Sequence, residues 1–458
     1  MRENLRAAWN RVPPRARVAA QSIVLLLVLG GAFASLGTER IKAVQRPHVL
    51  PADTRHVALR GLGPAVVEAA RLDVPPAPVL EPIRRPAPPI VPPGQRVPTP
   101  RAVRGLYVSG WVAGSGRRLA ELLELADTTE INAFVVDIKD ATGFVSHRTS
   151  VPFALETGAD GEPRIGDIQS LLARLRQHGV YPIARIVVFK DPIAARARPD
   201  LAIQDSIGQP WIDHHGDIWV DAFNREVWDY AVALAREAIE LGFSEIQWDY
   251  VRFPDAPRAW LEKAVHPARA GRSKAEAVAE FMAYAREALA DLDVPITADV
   301  FGLTTSTRGD LGIGQDWLRM QTQVDVLLPM IYPSHYYAGS YGYANPNGNP
   351  YGIMRKALEA ALSRAAGVEG AARVRPWIQD FTLGEPRYGP AHVRAQIQAA
   401  YDLGIDEWML WNPGNRYTAE ALVGRSGREP DFEIPDEQRE EDDLLGRPGR
   451  TAGERAEG

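Results

Sequence analysis

Between residues 104 and 413 the chain repeats one alternation: a short run rich in β-branched and aromatic residues, then a longer stretch with apolar residues at helical spacing. The runs are GLYVSGW (105–111), AFVVDIK (133–139), YPIARIVVF (181–189), EIQWDYV (245–251), ITADVFG (296–302), VDVLLPMIYP (324–333), RVRPWIQDF (373–381) and EWMLWNP (407–413). Of the intervening stretches, DIQSLLARLRQHG places Ile168, Leu171, Leu172 and Leu175 on one face, with Asp167 at its N-cap and Gly179 just past its end. Strands that alternate with helices pair in parallel. Eight strand–helix units in about 310 residues predict a single closed (β/α)8 barrel of the TIM type. The rival, a doubly wound open sheet, calls for a phosphate-binding turn after its first strand. The sequence there is WVAGSGRR, whose glycines do not make G-x-G-x-x-G.

The flanks read differently from this middle. The first 17 residues hold five arginines against one glutamate, and Val18 to Gly37 is free of charge. Twenty uncharged residues can span a bilayer, and the basic flank predicts export of everything that follows. Ala32-Phe33-Ala34 before Ser35 also fits a signal-peptidase site. Pro75 to Pro100 holds 11 prolines, which favours an extended spacer. Residues 426–458 carry 11 acidic and 5 basic residues, which accounts for the whole net charge of −6. The expected organisation is a signal peptide or transmembrane anchor over 1–37, a proline-rich linker over 38–100, the barrel over 101–425 and an acidic disordered tail over 426–458. That order places the barrel outside the cytoplasm, either tethered to the membrane by the N-terminal helix or secreted. The charge balance carries no nucleic-acid signature. With no cysteine, disulfides, thiolate metal sites and cysteine nucleophiles are excluded.

The chemistry shows in charges placed within strands. Strand residues of one parity face the barrel interior. Asp137 and Lys139 share parity on the second strand, Arg185 lies on the third, Gln247 and Asp249 share parity on the fourth, and Thr297 and Asp299 on the fifth. Interior charges are costly unless paired, and these recur on four successive strands near their C-terminal ends, where barrel active sites are built. Two carboxylates flanking one bond are the apparatus of glycoside hydrolysis. Asp249, within WDYVRFP, is the candidate nucleophile or base. Asp299 is the candidate acid, with Asp137 in reserve. Lys139 and Arg185 would hold a carboxylate ionised and contact substrate. Arg252, Tyr332, His335, Gln379, Trp411 and Asn412 complete the expected sugar-binding set. Aromatic faces and amide side chains both suit hydroxylated rings.

Other chemistries lack their signatures. The end of the first strand reads YVSGW rather than H-x-H, His214-His215 has no partner at metal-ligand spacing, and neither G-x-S-x-G nor a Walker A sequence occurs. No cofactor or metal is expected.

The stretches RGLYVSGW, NAFVVDIKD, YPIARIVVFKD, WIDHHGDIWVDAFNREVWDYA, EIQWDYVRFP, ADVFG, LLPMIYPSHY, RPWIQDF and WMLWNP resemble a bacterial family described as putative glycosyl hydrolases. It was long a domain of unknown function and is related to α-amylase-like barrels. The resemblance runs from Arg104 to about Thr418 and implies a TIM-barrel glycosidase acting on a polysaccharide. The wider α-amylase-like pattern implies an Asp nucleophile on the fourth strand, matched by Asp249, and a Glu acid on the fifth, where this chain has Asp299. That pattern also has Arg two residues before the nucleophile, where this chain has Gln247. The reading is a glycoside hydrolase that cleaves an extracytoplasmic polysaccharide with retention. The alternative is a non-catalytic glycan-binding or wall-organising barrel on the same stalk.

Overall fold

The computed structural model of the chain describes residues 96–427. The predicted anchor, nearly all of the proline-rich linker and the acidic tail beyond 427 lie outside the described residues. Among the described residues no helix is long and apolar enough to cross a membrane.

Eight parallel strands close into a barrel: β1 (Arg104–Val108), β2 (Ala133–Lys139), β3 (Tyr181–Val187), β4 (Glu245–Asp249), β5 (Ile296–Phe301), β6 (Val326–Ile331), β7 in two segments (Arg373–Val374 and Trp377–Gln379) and β8 (Trp408–Trp411). Each strand pairs with its neighbours in sequence, β8 pairs β1, and β5 pairs β6, so the sheet has no open edge. The break in β7 falls at Arg375-Pro376, where proline has no N–H for the ladder. The register against β6 is the same on both sides of it: Leu327 faces Val374 and Met330 faces Trp377.

Period-two alternation sorts the side chains of β2. Phe134, Val136 and Ile138 pack outward against the helices. Ala133 and Val135 point into the barrel with Tyr107, Tyr181, Ile183, Val326, Leu328, Trp377 and Met409. Gly105 leaves room for the Met409 side chain, whose Sδ would lie 2.5 Å from a Cβ there. The lower barrel also buries an ion pair, Arg375 Nη1 to Glu245 Oε1 at 2.6 Å.

The outer layer comprises α1 (Gly116–Thr128), α2 (Ile168–Gln177), α3 (Arg225–Leu241), α4 (Lys274–Ala288), the single turn α5 (Trp317–Met320), α6 (Pro350–Ala365) and α7 (Pro390–Tyr401). The expectation for α2 holds. Asp167 caps it by accepting from Ser170 N, Leu171, Leu172 and Leu175 are buried, and Gly179 follows at φ 67°. Among the described residues two units are reduced relative to the expected eight. β5 is followed by a glycine-rich loop and only the four residues of α5, and β8 by the 3-10 turn Ala419–Ala421. Gly309, Gly312 and Gly314 of that loop all have positive φ, which helix cannot use.

The long connections after β3, β4 and β6 gather at the C-terminal ends of the strands. The first two pair with each other at Gln204 and Val265. They wall the end of the barrel where the interior charges lie.

Candidate active site

Strand parity delivers four charged side chains to one place. Asp137, Arg185, Asp249 and Asp299 come from β2, β3, β4 and β5, and none is more than 6% exposed. Arg185 is the hub. Its Nη1 donates to Asp137 Oδ1, and its Nη2 and Nε (3.0 Å) donate to Asp249 Oδ2. The same Nε lies 4.0 Å from Asp299 Oδ2. Being 3.0 Å and 4.0 Å from one nitrogen, the two carboxylate oxygens are at most 7.0 Å apart.

The three carboxyls have different surroundings. Asp137 Oδ2 accepts from Tyr107 OH at 2.6 Å, and Asp249 Oδ1 accepts from the backbone N–H of Tyr250 at 2.5 Å. Tyr250 has φ 49°, a left-handed conformation that is strained for an aromatic residue. Asp299 accepts from Gln247 Nε2 at 2.9 and 3.0 Å and from Trp377 Nε1 at 2.6 Å. Both donors are neutral. Gln247 is fully buried, and among the described residues its Oε1 has no partner.

Three ionised carboxylates around one guanidinium would leave two buried negative charges, so the cluster favours taking up a proton. Burial, and next the charge of Asp249, push the Asp299 carboxyl well above its ordinary range, against the pull of Arg185 and its hydrogen bonds. Burial also raises Asp137, opposed by Arg185. Asp299 is the better proton holder, because Arg185 touches Asp137 and Asp249 directly and stands 4.0 Å off Asp299. Burial alone would lower Arg185, but Asp137 and Asp249 outweigh it and the guanidinium stays charged.

Aromatic rings roof the cluster. Trp411 lies 4.1 Å from Tyr107 and meets Trp377 edge-on at 5.6 Å. Arg185 sits 5.5 Å from the Tyr107 ring and 5.6 Å from that of Trp411. Tyr332 is buried beside Phe381 and His335, and its hydroxyl is pushed up first by burial and then by the charges of Asp299 and Asp249. Burial lowers His335 to about 4, so it is a neutral ring at pH 7. Arg252, on the loop after β4, packs against the rings of Tyr250, Trp219 and Phe301.

Three expected site residues are used elsewhere. Lys139 does not reach the cluster. The β2–β3 register shifts between Asp137 and Lys139, and the ammonium leaves the barrel interior to bond Asp191 Oδ2 (2.8 Å) and Val187 O (2.7 Å), fully buried. Gln379 turns its amide to the protein: Oε1 accepts from Ser334 N and Oγ, and Nε2 donates to Phe381 O. It ties β7 to the loop after β6. Asn412 is likewise held in a turn, donating to Asp380 O and accepting from Gly414 N at 2.8 Å. Conversely, Tyr107, Gln247 and Trp377 contact the carboxylates and were not among the expected residues. Each shares inward parity with a barrel position, which was the available signal. Among the described residues no three His, Asp or Glu side chains form a metal-binding set.

A closed (β/α)8 barrel with paired acids at the C-terminal ends of its strands defines a barrel of the glycosyl-hydrolase-like class. The chain belongs to the family described as "Putative glycosyl hydrolase domain" (DUF4015), whose profile matches residues 105–417. Among solved structures, a hypothetical protein from Ruminiclostridium thermocellum ATCC 27405 is 39% identical, covering 43% of this chain and 97% of its own, with a TM-score of 0.39. The glycoside hydrolase domain of PgaB (BpsB) from Bordetella bronchiseptica is 11% identical over 70% of this chain and 99% of its own, with a TM-score of 0.50. That likeness shows the fold. TtGalA, an α-galactosidase from Thermus thermophilus in complex with p-nitrophenyl α-D-galactopyranoside, is 16% identical over 76% of this chain and 62% of its own, with a TM-score of 0.42. A comparison with curated proteins finds no match.

Proposed function

We propose that the barrel is a glycoside hydrolase acting on an extracytoplasmic polysaccharide, with Asp249 as nucleophile and Asp299 as general acid/base. The observation that carries this reading is the unequal treatment of two neighbouring carboxyls. Asp249 accepts from the Arg185 guanidinium and from the Tyr250 N–H, whereas Asp299 is buried against neutral donors and beside the charge of Asp249. Unlike surroundings of two neighbouring carboxyls assign the acid and base roles.

In the proposed reaction Asp299 donates its proton to the glycosidic oxygen as the bond to the anomeric carbon breaks. Asp249 attacks that carbon and forms a glycosyl ester. Asp299, now ionised, takes a proton from water, which displaces Asp249. The upper bound of 7.0 Å on this one oxygen pair is compatible with the ~5–5.5 Å carboxyl separation of retention. Asp137 anchors Arg185. Tyr332, His335 and Trp411 line the sugar site. The basic N-terminal flank, its apolar stretch and the proline-rich spacer support a membrane-tethered or secreted placement, with the barrel held clear of the bilayer.

One observation favours the glycan-binding alternative: both oxygens of Asp249 are already engaged, as in a structural ion pair. The full-length chain and its Asp249→Asn variant, incubated with a panel of bacterial and plant polysaccharides, separate the two readings. Release of reducing ends by the wild type alone supports the hydrolase. Binding without release, equal in both proteins, supports the binding module.

A further inference from the structure

Arg252 stands three residues past Asp249 and is half-buried at the C-terminal mouth of the barrel. Its guanidinium carbon lies 4.8 Å from the centroid of Tyr250, 5.0 Å from Trp219 and 4.8 Å from Phe301. Those rings belong to the loop after β4, the loop after β3 and the end of β5, so separate parts of the fold converge on one side chain. Lys190 approaches the same Tyr250 ring at 5.5 Å, but it is neutralised by Asp217 at 2.6 Å. Among the described residues Arg252 has no such acid. Among the described residues its one hydrogen bond runs from Nη1 to Phe253 O at 3.1 Å, and no carboxylate comes within 4.0 Å.

A guanidinium carries five donors in one plane. Aromatic faces steady that plane without using its donors. The seat is also fixed relative to the reaction centre. Tyr250, one of its walls, donates its backbone N–H to Asp249 from a strained turn at φ 49°. A steadied fork with free donors matches a carboxylate or a phosphate, both of which it engages through two parallel bonds. It also meets a need of the site. Three carboxyls surround one arginine at the barrel's centre, so an anionic glycan approaching them needs a local cation.

We propose that Arg252 recognises an anionic substituent of the glycan, a hexuronate carboxylate or a sugar phosphate, and that the substrate is therefore an acidic polysaccharide. The inference rests on the reading of the barrel as a glycan-acting site. It is tested by calorimetric titration of the full-length chain with oligogalacturonate, its carboxyl-reduced neutral counterpart and a poly(glycerol phosphate), using wild type, Arg252→Gln and Arg252→Lys. The wild type binds one of the two anionic probes about 10- to 100-fold more tightly than the neutral glycan, the size of a charge-assisted pair. Which probe it prefers distinguishes carboxylate from phosphate. Arg252→Gln loses the preference, Arg252→Lys keeps part of it, and both melt with the wild type. Equal binding of charged and neutral glycans, binding of neither anionic probe, or a preference that survives Arg252→Gln overturns the proposal. Reducing-end release is measured alongside. A charge preference that depends on Arg252 without hydrolysis removes the hydrolase reading and leaves the anion site standing. Hydrolysis of the charged and neutral glycans at equal rates, by wild type and Arg252→Gln alike, does the reverse.

Discussion

Replacing Asp299 by Asn probes the protonation state on which the mechanism depends. The substitution keeps the shape of the side chain and one acceptor oxygen, so Trp377 Nε1 retains its partner. The other branch becomes an N–H donor beside Gln247, whose Oε1 is buried without a partner. A half-turn of the Gln247 amide brings that oxygen onto the new donor. The hydrogen bond so gained contributes about 0.5–1.5 kcal/mol. The pH dependence points the same way. Asp299 has a folded-state pKa raised above its ordinary 3.8, by burial first and by Asp249 second. Its contribution to stability is fully present below pH 3.8 and is lost as the pH rises through the folded value. The loss is at most about 1.36 kcal/mol per pH unit. Asparagine has no such loss. Urea unfolding from pH 4 to 9 should therefore show Asp299→Asn gaining on the wild type as pH rises, then levelling off. The pH of levelling reads the folded pKa. Hydrolysis should fall about 10²- to 10⁴-fold, the contribution of a general acid. A variant less stable than wild type by the same amount at every pH would mean that Asp299 is an ionised member of the Arg185 network, and would refute its role as the acid.

Three further outcomes are expected. Lys139→Met should cost about 3–5 kcal/mol in urea unfolding by leaving Asp191 buried and unpaired, while activity per folded molecule stays at the wild-type level; adding Asp191→Asn should recover part of the loss. Burial pushes Glu237 up, but hydrogen bonds from His147, Ser150 and Thr149 outweigh it and set its pKa at about 2 against an ordinary 4.5. The stability it contributes is present above pH 4.5 and lost as pH falls towards 2, so Glu237→Gln should flatten acid unfolding across that window, followed by circular dichroism. Trp411→Ala should remove the ring that covers Arg185 at 5.6 Å and raise KM about 10-fold, at roughly 1.4 kcal/mol of stacking, with a smaller change in kcat; an unchanged KM would place Trp411 outside the sugar site.

The strands were legible because each carries its information locally. AFVVDIK alternates inward and outward residues whatever lies next to it, and a closed barrel then dictates what those faces meet. Asp137, Arg185, Asp249 and Asp299 could be brought together on that rule alone, and Arg185 does bond Asp137 and Asp249 directly. The rule fails where a strand stops being regular. Lys139 shares parity with Asp137 in the sequence, but the register shift between them turns its ammonium outwards. Nothing in IKD announces that shift. It goes with Asp191, more than fifty positions on, whose carboxylate accepts from the ammonium and caps the short helix Pro192–Ala197.

The amides were misread for a related reason. Gln379 and Asn412 sit at strand ends, where an unengaged amide would suit a sugar hydroxyl. Whether an amide is engaged depends on distant backbone, Ser334 for one and Asp380 for the other. Gln247 is the opposite case. Its inward parity with Asp249 is visible in the sequence, but an uncharged glutamine is given no role there, yet it is the side chain that contacts both oxygens of Asp299. Its neutrality is what matters. An arginine there would hold Asp299 ionised, whereas an amide can donate to the carboxylate or, turned over, accept from the acid. A residue able to serve both protonation states suits a group that must give up a proton and take one back within a single turnover. On this argument the chemical distinction between Asp249 and Asp299 lies less in the two aspartates than in their neighbours, Arg185 for one and Gln247 for the other.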